Sequence, residues 1–230
     1  MQDMNKNRLY LSGGGNEKQS FPLDKFFFST LPLNGRFLYI PVALRGHMMY
    51  PTAAAWMKSV TELHERADIQ FETADDLGTY DGNTLRDFSG IYIGGGNTWS
   101  LMQELRDSGF ADILIDYIEA GGHVYGGSAG AIIMGKRINT QDDENKLGMQ
   151  DVSGLNLLNG FSVACHFKNE QGERFQAWAI DNNLPVLCLP EETGLVVEKD
   201  LAHCIGTEPC TVYRADGTPR ETRPGESFQL

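Results

Sequence analysis

A serine flanked by small residues, Gly126-Gly127-Ser128-Ala129-Gly130, stands where the apolar run His123-Val124-Tyr125 gives way to Ala131-Ile132-Ile133-Met134. Gly-x-Ser-x-Gly at a break from strand to helix exposes a hydroxyl above a sheet, because small neighbours permit a sharp turn. Amide groups at the start of the helix that follows are unpaired and carry partial positive charge, so they would stabilise an oxyanion formed at Ser128. The same glycines would also serve a tight turn that only packs a helix against a strand. Partners elsewhere in the chain decide between the two.

Acyl transfer requires a nucleophile, a base to take its proton, an acid to orient the base, and donors for the tetrahedral oxyanion. Of the five histidines, His47 falls in a loop, His64 on the polar side of a helix, and His123 at the start of a buried strand. His166 closes the strand Phe161–Cys165 in the parallel part of the chain and is preferred to His203, which lies in a late antiparallel region. Gly96, before Asn97-Thr98, reads as a capped helix start whose free amide suits an oxyanion hole together with the amide of Ala129. Neither Gly94-x-Gly96 nor Gly13-x-Gly15 continues as a dinucleotide fingerprint, since Trp99 and Lys18 stand where the third glycine belongs. No Gly-Lys-Ser/Thr, His-Glu-x-x-His, paired Cys/His set or calcium loop occurs, so neither a cofactor nor a metal is implied.

The elements that must position these groups alternate. Apolar runs at Arg8–Leu11, Arg36–Pro41, Ile69–Thr73, Gly90–Ile93, before Ser128, at Phe161–Cys165 and at Val186–Leu189 predict strands. Helical spacing predicts helices over Leu23–Thr30, from Pro51 to about Ala67, around Leu101-Met102 and Leu105, over Phe110–Ile118, and over Glu173–Asp181. Leu195–Glu198, Ala202–Ile205 and Thr211–Tyr213 predict short antiparallel strands. The fold class is therefore α/β, a mostly parallel sheet with helices on both faces and short antiparallel strands near the C-terminus. Ligands of such sheets gather at the carboxyl ends of the strands, and the Gly94–Asn97 loop, Ser128, His166 and Glu191 all follow predicted strands.

A chain of 230 residues can bury one substantial core, and residues 1–230 read as a single domain. Hydrophobic residues make up 41%, yet no apolar run has the length of a bilayer span, and Met1 to Arg8 lack the apolar core of a signal peptide. A cytoplasmic protein without membrane contact is the expectation. The four cysteines form no Cys-x-x-Cys pair, so neither a disulfide nor zinc is expected. A formal charge of −12 argues against a broad nucleic-acid surface and leaves a small molecule or peptide as the partner, with a homodimer open as an assembly.

Taken together, Gly94-Gly95-Gly96-Asn97-Thr98, Gly127-Ser128-Ala129-Gly130-Ala131, His166-Phe167 and Leu189-Pro190-Glu191 resemble the serine peptidases typified by dipeptidase E (aspartyl dipeptidase), to which cyanophycinases are related. The match spans roughly residues 90 to 195. The resemblance implies a class I glutaminase-like (flavodoxin-like) fold and a Ser-His-Glu triad acting on dipeptides or short peptides. Ser128 would be the nucleophile, His166 the general base and Glu191 its orienting acid, with Gly96 and Ala129 as oxyanion donors. The resemblance further implies substrate-binding roles for Asp143 and, after a one-residue gap, for Arg174, a cation able to hold the acidic N-terminal residue such enzymes favour. The chain departs from the family's Thr-Asn-Asp-Met-Pro segment, reading Gln141-Asp142-Asp143-Glu144-Asn145 instead. Two other functions remain open. An α/β-hydrolase-type esterase would order its triad Ser, acid, His and recruit His203; a binding protein could keep the fold without turnover.

Overall fold

The computed structural model describes residues 8–230, so Met1 to Asn7, most of the polar N-terminal stretch, lie outside the described residues. Alternation within four strands decides the layers. In β1 (Arg8–Ser12), β2 (Arg36–Ile40), β4 (Gly90–Ile93) and β5 (His123–Gly127), successive side chains point to opposite faces of the sheet. Leu9, Leu11, Leu38, Ile91, Ile93 and Val124 thereby join an aliphatic core, while Tyr10, Phe37, Tyr39, Tyr92 and Tyr125 join an aromatic one.

Helices α1 (Phe21–Thr30) and α2 (Ala53–Leu63) cover the aromatic face. Phe27 of α1 is fully buried and meets Tyr10, Tyr125 and Tyr92 edge-on, with ring centres 5.5, 5.6 and 5.8 Å away. Each such pair contributes about 0.5–1.5 kcal/mol beyond the area it buries, so this single ring ties α1 to three strands. The aliphatic face is covered by α4 (Thr98–Asp107), α5 (Phe110–Glu119) and the one-turn α6 (Ala129–Ile132).

With β3 (Gln70–Thr73) at one edge, the strands β3, β2, β4, β5 and β1 run parallel. Beyond β1 the sheet continues antiparallel through β8 (Thr193–Glu198), β9 (Leu201–Gly206) and β12 (Ser227–Gln229), eight strands in all. The α/β class thus holds, with one difference from a single parallel series. Strands β6 (Ser162–Ala164) and β7 (Val186–Cys188) pair in parallel inside a separate four-stranded sheet, completed by β10 (Cys210–Tyr213) and β11 (Arg220–Thr222). Both edges of β1 are already taken, by β5 and β8, so β6 has no place beside it.

Helix α2 ends at Leu63 rather than near Ala67, because Glu65 takes a left-handed φ of 55° that stops the turn. His64 consequently folds inward instead of facing solvent: its side chain is 2% exposed and stacks on Phe21 with ring centres 4.4 Å apart. Pro51 sits in a 3-10 turn, Tyr50–Thr52, ahead of α2. The helix α7 (Gly172–Asn182) lies against β7 and β10, and a short helix, α3 (Gly82–Leu85), precedes β4. Among the described residues no helix is long and apolar enough to cross a membrane, and the four cysteines are buried free thiols.

Candidate active site

Register brings three loops together. Ser12 of β1 lies opposite Gly127 of β5, and Ile93 of β4 opposite Gly126, so these parallel strands end level with one another. The loop Gly13–Gly15, the turn at Ser128 and the loop Gly94–Gly96 emerge side by side. Ser128 has φ 49° and ψ −110°, a conformation that costs a non-glycine residue about 1–3 kcal/mol and persists only where surroundings enforce it. Its N–H donates to Ser12 O at 3.1 Å. The flanking glycines are steric requirements: a Cβ at Gly130 would stand 2.5 Å from Ile93 O, and one at Gly126 2.7 Å from Ala131 N. The spacing Gly-x-Ser-x-Gly therefore allows α6 to press against β4 and β5 while the serine side chain stays out.

The small sheet supplies two further groups. Ala164 of β6 pairs with Cys188 of β7, and past these ends Leu189 N–H donates to Ala164 O at 2.8 Å and Phe167 N–H to Leu189 O at 3.1 Å. That clasp holds His166 and Glu191 next to each other. His166 Nδ1 lies 2.9 Å from Glu191 Oε1, and His166 Nε2 lies 2.9 Å from Ser128 Oγ. With the carboxylate accepting the Nδ1 proton, Nε2 presents its lone pair to the serine hydroxyl; this tautomer is assigned from the hydrogen-bond network. The hydrogen bond from His166 holds the Glu191 carboxyl below its ordinary value, and a second one from Gln19 adds to this. Gln19 Nε2 donates to Glu191 Oε2 at 3.0 Å, so both carboxylate oxygens are engaged.

Gly96 N–H and Ala129 N–H donate to no acceptor among the described residues. The loop before α4 is pinned by Asn97, whose N–H donates to Ala43 O at 2.8 Å and whose Oδ1 caps Ser100 N–H at 2.8 Å. Gly96 has φ 137°, and a side chain there would collide with the Ala43 carbonyl. Gly95 is the member of this loop nearest Ser128, a Cβ on it standing 3.2 Å from Ser128 Cβ. Gly95, Gly96, Ser128, His166, Tyr125 and Trp56 line a cavity of about 210 Å³.

The remaining candidates lie elsewhere. Asp143 does not line that cavity: its Oδ2 accepts from Thr98 N at 2.9 Å and Thr98 Oγ1 at 2.5 Å, an acidic cap on the N-terminus of α4. It fastens the Gly94–Thr98 loop from behind. Arg174 is likewise outside, its guanidinium gripping Asp142 through contacts of 2.6 and 2.8 Å and reaching Thr140 O at 3.3 Å. The fork that would hold a substrate carboxylate is already filled by the chain's own aspartate. His203, in β9, bonds Ser227 Oγ at 2.7 Å and lines a different cavity with Arg8 and Glu198.

Sequence reasoning missed Gln19 and the use of Gly13-Gly14. His166 N–H donates to Gly13 O at 2.8 Å, and a Cβ on Gly14 would fall 2.7 Å from His166 Nε2, at a φ of 106° that a side chain rarely adopts. Gly14→Ala is therefore expected to push the imidazole aside and lower kcat/KM by about 10²-fold, the usual consequence of an ångström of misplacement. Steady-state kinetics beside a thermal melt separates this from unfolding, and a fully active variant would show that the ring has room to spare.

A serine, a histidine and a carboxylate are joined where the two sheets meet, and comparison with known proteins shows a peptidase. The chain belongs to peptidase family S51, whose model matches residues 9–205. It is similar to a protein of Drosophila melanogaster named probable alpha-aspartyl dipeptidase, 26% identical over 81% of this chain and 79% of that protein. A peptidase E of Streptomyces coelicolor is also 26% identical, over 86% of this chain and 82% of its own. The fold is shared with the crystal structure of a peptidase from an acI-B1 actinobacterium, with a TM-score of 0.72 at 19% identity, covering 98% of this chain and 97% of that one.

Proposed function

We propose that this peptidase is of the serine type and hydrolyses dipeptides or short peptides through an acyl-enzyme on Ser128. The observation that carries the proposal is the unbroken relay, 2.9 Å from Ser128 Oγ to His166 Nε2 and 2.9 Å from His166 Nδ1 to Glu191 Oε1. His166 takes the hydroxyl proton as Oγ attacks the scissile carbonyl, and Glu191 stabilises the imidazolium that results. The oxyanion rests on the amides of Gly96 and Ala129. Collapse of the tetrahedral intermediate passes the proton to the leaving amine. Water, deprotonated by the same imidazole, then frees the acyl group from Ser128.

A cavity of about 210 Å³ suits one amino-acid residue, which agrees with short substrates of the kind the relatives' names indicate. The acidic preference in the name of the Drosophila protein is not carried over, since Arg174 is spent on Asp142. An esterase built on His203 finds no support in a histidine bonded to Ser227. The test is labelling by a fluorophosphonate, with the modified residue mapped, alongside release of free amino acids from a dipeptide panel. Label on Ser128 with hydrolysis is the expected result; folded protein showing neither would overturn the proposal.

A further inference from the structure

Glu191 stands in the turn between β7 and β8, and its side chain is 43% exposed. A carboxylate on so open a side chain has several staggered rotamers available, and water competes for both oxygens. The bond to His166 Nδ1 at 2.9 Å engages one oxygen only. The other is taken by Gln19, whose Nε2 donates to Oε2 at 3.0 Å. Gln19 is itself held. Its Oε1 accepts from Asn16 N–H at 3.0 Å, its own N–H donates to Asn16 O at 3.0 Å, and a Cβ on Gly15 would stand 2.9 Å from that Oε1. The side chain thus folds back over Gly15, in a turn that runs into α1 through Ser20, whose N–H also donates to Asn16 O at 3.0 Å.

The two ends of the amide are not interchangeable. Because its oxygen is taken by a backbone donor, the end that meets Glu191 is the NH2 group, an assignment that follows from the hydrogen bonds on both sides. With Gln19 donating to Oε2 and the imidazole to Oε1, both carboxylate oxygens accept. A protonated carboxyl would set its O–H against one of these donors, so the arrangement favours the charged form, and both bonds lower the carboxyl from its ordinary value. The contact also crosses between sheets. Gln19 follows β1 of the eight-stranded sheet, which carries Ser128, whereas Glu191 follows β7 of the four-stranded one, which carries His166. The acid is therefore referenced to the nucleophile's sheet as well as to the base's.

We propose that Gln19 is a positioning residue for the relay: it locks the Glu191 carboxylate in the orientation and charge state that keep His166 protonated on Nδ1 and open to Ser128 on Nε2. The inference rests on the serine-peptidase reading and adds a fourth member to its triad. Gln19 does not line the cavity beside Ser128, so it acts through Glu191 and its removal falls on kcat rather than on KM.

The experiment measures kcat and KM on a cleavable dipeptide, and the rate at which a fluorophosphonate labels Ser128, for the unmodified protein, Gln19→Met, Gln19→Glu, Glu191→Ala and the Gln19→Met, Glu191→Ala double variant, each with a thermal melt. Gln19→Met keeps the length of the side chain and removes the donor; it is expected to lower kcat and the labelling rate about tenfold while KM stays within about twofold. Gln19→Glu keeps an oxygen for Asn16 N–H but turns an acceptor towards Oε2, and is expected to lose more than Gln19→Met. In the Glu191→Ala background, Gln19→Met is expected to lose less than about twofold, since no carboxylate remains to be held, whereas a glutamine that only supports its loop would lose as much there as in the unmodified protein. Should Glu191→Ala fail to fold, the order of the two Gln19 variants still decides. A Gln19→Met protein with unchanged kcat, a loss confined to KM, a Gln19→Glu protein more active than Gln19→Met, or an equal loss with and without Glu191 would overturn the inference and leave the peptidase reading intact. An unmodified protein that neither cleaves dipeptides nor takes the label would remove both.

Discussion

Ser128→Ala is expected to lower dipeptide turnover by about 10⁴-fold or more, since without the hydroxyl only binding and the oxyanion donors remain to act on an attacking water. The methyl group fits wherever the hydroxymethyl does, and alanine at φ 49° bears much the same backbone strain as serine, so the melting temperature should move little. Amino-acid release followed over hours measures the loss, and the fluorophosphonate label should vanish with it. A variant within tenfold of wild type would remove Ser128 from the chemistry.

His166→Ala should cost about as much in kcat/KM, and combining it with Ser128→Ala should cost little more than either alone, because groups that act as one unit are not additive. His203→Ala is expected to stay near wild type, its ring being tied to Ser227 in β9. The pair of histidine variants thus separates two orders of triad, assayed on a peptide and on a p-nitrophenyl ester. If His203 proves essential and His166 dispensable, the relay described above is not the one that turns over substrate.

How much of this was legible in the sequence follows from what each signal depends on. Apolar runs reported the strands and their carboxyl ends, so Ser128, His166 and Glu191 could be singled out as residues of the right type at the right places. Pairing partners could not be read: β6 and β7 have the composition of central strands, and only the occupied edges of β1 send them to a second sheet. The strand β11 is too short and exposed to stand out, with only Thr222 buried. Gln19 approaches Glu191 across 172 residues of chain, with no local pattern to mark it. Gly13-x-Gly15 offers only a failed phosphate-binding pattern, whereas the use of Gly14 between them depends on the imidazole opposite. Arg174 and Asp143 were assigned by position alone; Asp142 and Thr98 claim them first. The aromatic layer did leave a trace, in aromatic residues alternating with aliphatic ones through Leu9-Tyr10-Leu11, Phe37-Leu38-Tyr39-Ile40 and Ile91-Tyr92-Ile93.

The proposed nucleophile and its relay are carried by two separately hydrogen-bonded ladders, Ser128 at the end of β5 and His166 with Glu191 past β6 and β7. The seam is spanned by the hydrogen bond from His166 N–H to Gly13 O, by Cys165 Sγ on Ser12 O and by Gln19 on Glu191. Catalytic competence is then a property of a joint rather than of either sheet. Local openings, which need far less free energy than global unfolding, would switch the relay off while the eight-stranded sheet stayed whole. The fraction of active molecules would follow the closed population of that seam, and substrate bound across it would act as the clamp that keeps the halves together.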